Sequence, residues 1–471
     1  MVPAGQGGGL MRADLLADPV DGLDEALAAV AAFDGVLAGG LLRPQAAHVA
    51  GLSALADAVA GSPLAARVAE AAAKSAAGAA GEEHFLALAA ARIALLGSVH
   101  DALTVRLDEA TGRVRADAPV LAPAEPHAAN LLAAARAWLS DLARAGWQGI
   151  DHDLVSGAAQ VVSAMLPDLG LRRLAVLLDG FAAELGASCP GAALERIPLR
   201  RWADLWSRAM LLTQPGAAGF PASGTATGRL LPLGVELNEH ATAVHAQVHA
   251  VFEPADGSGA RLVRAGAAVP KPDTVVGAGV WQLLRPHLSL LGAVSEGRAM
   301  ELTGMPITAE GDLVWNDGHA RLGEPAEPFA TARVALPVAS AAATAPLDRH
   351  PVRIAEPVFL EGYTISTGEA LTFTIAGFPI RVDTSRVPEA GPLTPEAVAA
   401  SSACIGLVRW DDGEFTVQPL AVETMVKKKV TAIHAGAWAG GTADKQGVKA
   451  EKAATEAVAV LRERAGRLLR K

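Results

Sequence analysis

Apolar residues recur at three- and four-residue spacing through most of the first 214 positions. DEALAAVAAFDGVLA, LAARVAEAAAKSAA, EEHFLALAAARIALLGSVHDAL and ANLLAAARAWLSDLARAG all carry that period. They are built largely from Ala, Leu, Arg and Glu, the strong helix formers. Breaks fall at Gly61-Ser62-Pro63, at Gly78 and Gly81, across residues 117–126 and at 146–150, where Gly and Pro punctuate the chain. The pattern predicts two helical subdomains, 1–117 and 127–214, separated by the Pro-rich run APVLAPAEP at 118–126.

The period then changes to two. Residues 215–229, PGAAGFPASGTATGR, have the composition of a flexible linker. Beyond them HATAVHAQVHAVFE alternates apolar and polar positions as a strand does. ADGSG at 255–259, WNDGHA at 315–320 and RWDDGEF at 409–415 read as hairpins, and ALTFTIAGFPIRV at 370–382 as two strands joined at Ala376-Gly377. One helix, 275–294, interrupts and is kinked or ended near Pro286. A β-rich domain is therefore expected over 230–440, with a helix at 448–469 inside a final segment 441–471. The fold class expected is α+β: a helical N-terminal half, a β-rich C-terminal half and a C-terminal amphipathic helix.

Composition narrows the class without supplying chemistry. With 51% apolar and 19% charged residues, the chain can bury sizeable cores, which excludes a disordered or disulfide-framed protein. Two cysteines, Cys189 and Cys404, suit a reducing compartment. The N-terminus lacks a basic region followed by an apolar core, so no signal peptide is expected. The most apolar stretch, residues 85–99, carries Arg92 and falls short of the about 20 residues a membrane span needs. A cytoplasmic protein with no membrane span is the expectation. Net charge is −7 over residues 1–214, −10 over 215–426 and +7 over 427–471, so a basic tail follows an acidic body.

The histidines His240, His245 and His249 form the densest cluster of possible metal ligands. On a strand, His245 and His249 stand about 13 Å apart, too far for one ion, so they read as a solvated sheet face. Asp151-His152-Asp153 precedes DLVSGAAQVVSAML, where Asp151 suits a helix N-cap better than a triad. There is no GxxxxGK[ST], GxSxG, CxxC or kinase signature. Neither a cofactor nor a metal is expected. Trp202 and Trp206 lie four apart in RRWADLWSRAMLLT, on a stripe with Leu205, Ala209 and Leu212 bordered by Arg200, Arg201 and Arg208. That stripe suits core packing, and its Arg-flanked aromatics also suit a partner contact involving Trp202, Trp206 and Arg201.

RRWADLWSRAMLL, the linker and GRLLPLGVELNEH resemble uncharacterised Ala-rich actinobacterial proteins, over about residues 130–250. Those proteins are encoded beside MoxR-type AAA+ ATPases, von Willebrand factor A-domain (VWA) proteins and SWIM zinc-finger proteins. The resemblance implies an ATPase-linked assembly with a MoxR-type or VWA-domain partner, and no activity. This chain has no Walker, SWIM or DxSxS motif of its own.

The tail offers the other candidate contacts. Lys427, Lys428 and Lys429 precede VTAIHAGAWAGG. In the final helix Ala454, Ala457, Val458, Leu461, Ala465 and Leu468 fall within about 60° of Leu461 at 100° per residue. Arg464, Arg467, Arg470 and Lys471 flank that stripe. The helix either docks on its own acidic body or engages an anionic partner. A non-enzymatic cytoplasmic adaptor or accessory subunit is the leading expectation. The rival is an enzyme or ligand-binding protein with its site in the β half, drawing on His245, His249, Asp317, His319, Asp411 and Asp412. Nucleic acid is disfavoured by the acidic body and the single Tyr.

Overall fold

Leucine and alanine at helical spacing give ten α-helices before residue 213 in the computed structural model, which describes residues 11–117, 128–217, 224–240, 242–272, 275–285, 289–441 and 445–468. The side chains of Gln446, Ala454, Ala457, Val458, Leu461 and Leu468 lie outside that description. The helices are α1 (Ala13–Ala17), α2 (Leu23–Gly39), α3 (Ala46–Ala58), α4 (Ala65–Ala76), α5 (Glu82–Thr111), α6 (Ala129–Ala145), α7 (His152–Ser156), α8 (Ala158–Met165), α9 (Arg172–Ala187) and α10 (Leu199–Leu212). Gly and Pro end them as the sequence suggests. Gly112 closes α5 with φ 67°, a left-handed cap whose N–H returns to the Asp108 carbonyl. Asp151 caps α7, its carboxylate accepting the Leu154 N–H at 2.8 Å.

The two helical subdomains expected at 1–117 and 127–214 share one core. Phe33, Leu55, Val68, Leu88, Leu139, Phe181 and Trp206 belong to a single buried cluster. An Ala-rich helix pair presents too little apolar area to hold a core alone, so the stripes of both sets close on each other. The expected linker 118–126 lies outside the described residues.

Helix α5 serves two cores. Phe85, Leu88 and Leu96 pack in the helical core, whereas Val99, Leu103, Leu107 and Ala110 pack against Ile354, Val358 and Phe373 of the β half. Among the described residues α5 is the one helix long and apolar enough to cross a membrane by length and composition, and most of that window is buried. Arg92 within it is fully buried and paired to Asp34.

The β half holds two sheets. Strands β1 (Gly224–Glu239), β2 (Ala243–Pro254), β3 (Arg261–Pro270), β4 (Arg298–Ile307), β5 (Asp312–Leu313) and β6 (Ala320–Pro325) run in the order β1-β2-β3-β5-β4-β6. A further β1–β4 pairing closes this sheet on itself. Its interior holds Val235, Val248, Phe252, Met300 and Leu302, together with Trp281 and Leu290 from α11 (Val280–Leu284) and α12 (Ser289–Glu296). The second sheet has β7 (Glu356–Glu361), β8 (Thr364–Thr367), β9 (Leu371–Ile375), β10 (Phe378–Val382), β11 (Ser401–Asp411), β12 (Glu414–Val426) and β13 (Lys429–His434). Its order is β7-β11-β12-β10-β9-β8, with β13 on β12. Helices α13 (Pro328–Val334) and α14 (Pro395–Ala399) flank the sheets, and α15 (Lys445–Leu468) ends the described chain. Phe329 of α13, Leu233 and Ile405 form a small core between the sheets. Where they meet, a Cβ on Gly234 would stand 2.9 Å from the Leu420 side chain, so only glycine fits.

Two expectations change. Strand β1 begins at Gly224 and pairs with β4 from that residue, so part of the expected linker 215–229 is sheet; residues 218–223 lie outside the described residues. WNDGHA is not a hairpin: Asn316 accepts the Gly318 N–H at 2.9 Å in a 3-10 turn leading from β5 to β6, which pair with other strands. The side-chain acceptor satisfies the turn locally and removes the need for a hairpin partner. The helix expected at 275–294 is interrupted as expected, α11 ending at Leu284 and α12 beginning at Ser289 on either side of Pro286. The hairpins at 255–259, 376–377 and 409–415 form where expected, with Asp412 and Gly413 at φ 51° and 85°.

Candidate ligand-binding cleft

Alternation along paired strands puts Glu236 and Asn238 of β1 beside Gln247 and His249 of β2, and His249 beside Arg264 of β3. Val235, Leu237, Ala246 and Val248 point the other way, into the sheet interior. The polar face was expected to be solvated. It is instead one wall of a cleft of about 770 Å3, whose opposite wall is built from α5, α9, α10 and the segment 344–356. His240 is exposed and His245 half-buried, but His249 is 1% exposed.

His249 is the unusual group. Neither ring nitrogen has a hydrogen-bond partner in the protein, although the ring borders the cleft and a smaller cavity of about 50 Å3. Its Nε2 stands 3.7 Å from a Glu236 carboxylate oxygen, an ion-pair distance but too long for a hydrogen bond. Burial pushes the imidazole below its ordinary range, more than Glu236 pulls it up, so the ring is neutral near pH 7. Burial alone would raise the Glu236 carboxyl. The His249 ring, once protonated in acid, the Arg409 guanidinium and the Asn238 amide outweigh it and hold the acid at about 2. Arg409 donates to both Glu236 and Gln418.

A second polar centre lies on the segment APLDRHPVR, residues 345–353. Asp348 accepts from Arg353 Nη1 at 2.6 Å, Arg173 Nη2 at 3.1 Å and Arg208 Nη2 at 3.4 Å. These guanidiniums come from α9, α10 and the segment itself, and all three line the cleft. Behind them Asp204 lies 3.4 Å from Arg208 Nε, 3.6 Å from Arg92 Nη1 and 3.7 Å from His350 Nε2. Further round the cleft Arg264 pairs with Asp312, Arg386 with Asp383, and Glu356 with Arg113 and Arg115.

The residues singled out from sequence fall elsewhere, His249 and Arg208 excepted. Trp202 and Trp206 are core residues and offer no surface to a partner: the Trp202 indole donates to Glu184, the Trp206 indole to the Leu139 carbonyl. Arg201 is exposed and held by Glu184 at 2.7 Å. Lys427 and Lys428 form the turn between β12 and β13, Lys429 is the first residue of β13, and all three are exposed. Arg464 and Arg467 are exposed on α15, and Arg470 lies outside the described residues. Asp317 is taken by Ser289 and Trp315, His319 by the Thr303 carbonyl, and Asp411 stands 3.8 Å from Arg386. Asp412 is a turn residue. The start of α15 docks on its own chain, where Glu451 meets Arg285 at 2.8 Å and Thr455 accepts from Gln282 at 3.0 Å.

Sequence reading missed Asp348, Arg353 and Arg173. The signal that could have found Asp348 and Arg353 is the density of Asp, Arg and His in APLDRHPVR, whereas Arg173 in α9 belongs to no such cluster. Among the described residues no three His, Cys, Asp or Glu side chains are placed to share a metal ion. No protein-family model matches the chain, and neither does any curated protein or solved structure.

Proposed function

We propose that this protein is a cytoplasmic, non-enzymatic accessory subunit that binds a small molecule in the cleft between its helical half and its first sheet. The observation that carries the reading is His249. A buried polar group with no hydrogen bond costs about 1–3 kcal/mol, and a ligand entering the cleft would supply the missing partner. Clefts between layers, with a few convergent polar groups, are the usual place for such sites. Equilibrium dialysis of the protein against a small-molecule cell extract, read by mass spectrometry, tests it. Native protein should retain a compound that an Ala345→Trp variant, its cleft narrowed by the indole, retains less. Equal retention by both, or none by either, would reject the cleft. Chemical conversion of the retained compound would favour the rival reading of an enzyme.

The assembly part of the proposal rests on α15 and on the resemblance. From Glu456 onward the described side chains of α15 are exposed except Gly466, which is partly so, and residues 427–471 carry +7 against −17 for the rest. A MoxR-type ATPase or a VWA-domain protein is the partner class that the resemblance supports. Salt-sensitive co-elution with such a protein, lost on removing residues 456–471, is the expected outcome.

A further inference from the structure

We infer, on the reading that the cleft is a ligand site, that its ligand is an organic oxyanion, a phosphate ester or carboxylate, received by Arg353 and its neighbours Arg173 and Arg208 beside Asp348. Four guanidiniums, those of Arg92, Arg173, Arg208 and Arg353, are gathered around three carboxylates, Asp34, Asp204 and Asp348. Arg92 is the deepest and is matched by Asp34 through two hydrogen bonds. The other three guanidiniums border the cleft and converge on the one carboxylate of Asp348.

Asp348 shares its two oxygens among all three of them. A guanidinium carries five N–H donors in a planar fork suited to carboxylate and phosphate. Arg353 uses Nη1 on Asp348 as its one side-chain hydrogen bond among the described residues, and its side chain is 45% exposed. Its other donors are thus available to an incoming oxyanion. Burial, and then the neighbouring Arg208, holds the Arg353 guanidinium below its ordinary pKa, as crowded cations do.

The other wall is compatible. Arg264, Arg386 and Arg409 line it, each beside an acid. Glu310, whose backbone carbonyl accepts from Arg264, is the one lining carboxylate with no cation within 4.0 Å among the described residues. Val176, Leu177, Leu205 and Leu212 give the helical side an apolar flank, which asks for a hydrocarbon or ring body on the ligand. A neutral His249 can donate one N–H to it.

Phenyl phosphate, inorganic phosphate and benzylamine, titrated calorimetrically at one ionic strength into the full chain, test the inference. Phenyl phosphate should bind, inorganic phosphate more weakly and benzylamine not at all. Arg353→Gln should weaken phenyl phosphate by about tenfold or more, and Arg353→Lys by less, as befits a lost charge-assisted fork. Because Arg353 is half-exposed, circular dichroism and the melting temperature of the free variant should match the parent. No binding of phenyl phosphate, equal binding of benzylamine, or an unchanged affinity in Arg353→Gln would each overturn the oxyanion. Should dialysis meanwhile show a neutral or cationic compound retained by native protein and retained less by Ala345→Trp, the cleft would stand and the oxyanion alone would fall.

Discussion

Arg92 of α5 and Asp34 of α2 face each other side-on inside the helical core, Nε to Oδ1 at 2.6 Å and Nη2 to Oδ2 at 3.1 Å. Both side chains are almost wholly enclosed. Removing one partner of such a pair strands a charge in a medium that cannot solvate it, at about 3–5 kcal/mol. Arg92→Met should therefore lower unfolding free energy by that amount in urea titrations. The double variant Arg92→Met, Asp34→Leu should recover most of the loss. If the double variant is as unstable as the single, stranded charge is not the cause.

Stability should fall with acid between about pH 6.5 and pH 4. Burial lowers the His350 and His434 pKa values to about 4 and lowers that of His249. A base depressed on folding binds its proton more readily unfolded, so its stabilisation is complete above the unfolded value of about 6.5. It is lost as pH falls toward the folded value. For His350, 5% exposed, the effect is up to about 3 kcal/mol at 1.36 kcal/mol per unit. Glu236 acts below this window, because its stabilisation is complete above about 4.5 and is lost as pH falls from there toward 2. Urea midpoints at pH 7.5, 5.5 and 4.5 should decline steadily, and less steeply in His350→Gln.

Lys427 and Lys428 occupy left-handed backbone, at φ 49° and 65°. Asn and Gly adopt that conformation at lower cost in a two-residue hairpin turn. Lys427→Asn with Lys428→Gly should raise stability by about 1 kcal/mol. Thermal unfolding shows it as a higher midpoint, and an unchanged or lower midpoint would contradict the turn geometry.

The C-terminal helix should divide into a structural start and a dispensable end. Glu451 and Thr455 tie it to Arg285 and Gln282, and Ala450 packs on the first-sheet core. Truncation after residue 458 should shift the melting temperature by about 1 °C or less, as surface changes do. Truncation from residue 445 should lower it by several degrees. Calorimetric scans of the two truncations check the division.

Much of this fold is written locally. Helix ends follow Gly and Pro, and the Asp412-Gly413 and Ala376-Gly377 turns follow from which residues accept positive φ. What covers a face is not written locally. Strand β2 alternates as a half-wet strand should, yet from Val248 to Phe252 both faces are buried, because α5, α9, α10 and α13, between about 40 and 170 residues away in sequence, close over one of them. The cleft is illegible for the same reason. Arg173, Arg208, Glu236, Asp348 and Arg409 meet only through tertiary packing, and none belongs to a motif. The two indoles of α10 show the converse: an Arg-bordered aromatic stripe looks like an interface until its neighbours are known.

Helix α5 sets how the cleft can work. Its 30 residues make a rod about 45 Å long, anchored in one core near Phe85 and in another near Leu107. His100 and Thr104, between the anchors, form part of the cleft wall. A hinge that spread the two halves would have to bend this beam in mid-span and break its hydrogen-bond ladder. The cleft is therefore held at a fixed gauge. On the proposed reading of the cleft as a ligand site, a ligand would enter by rearranging side chains such as Arg353, and the free and occupied backbones should superpose.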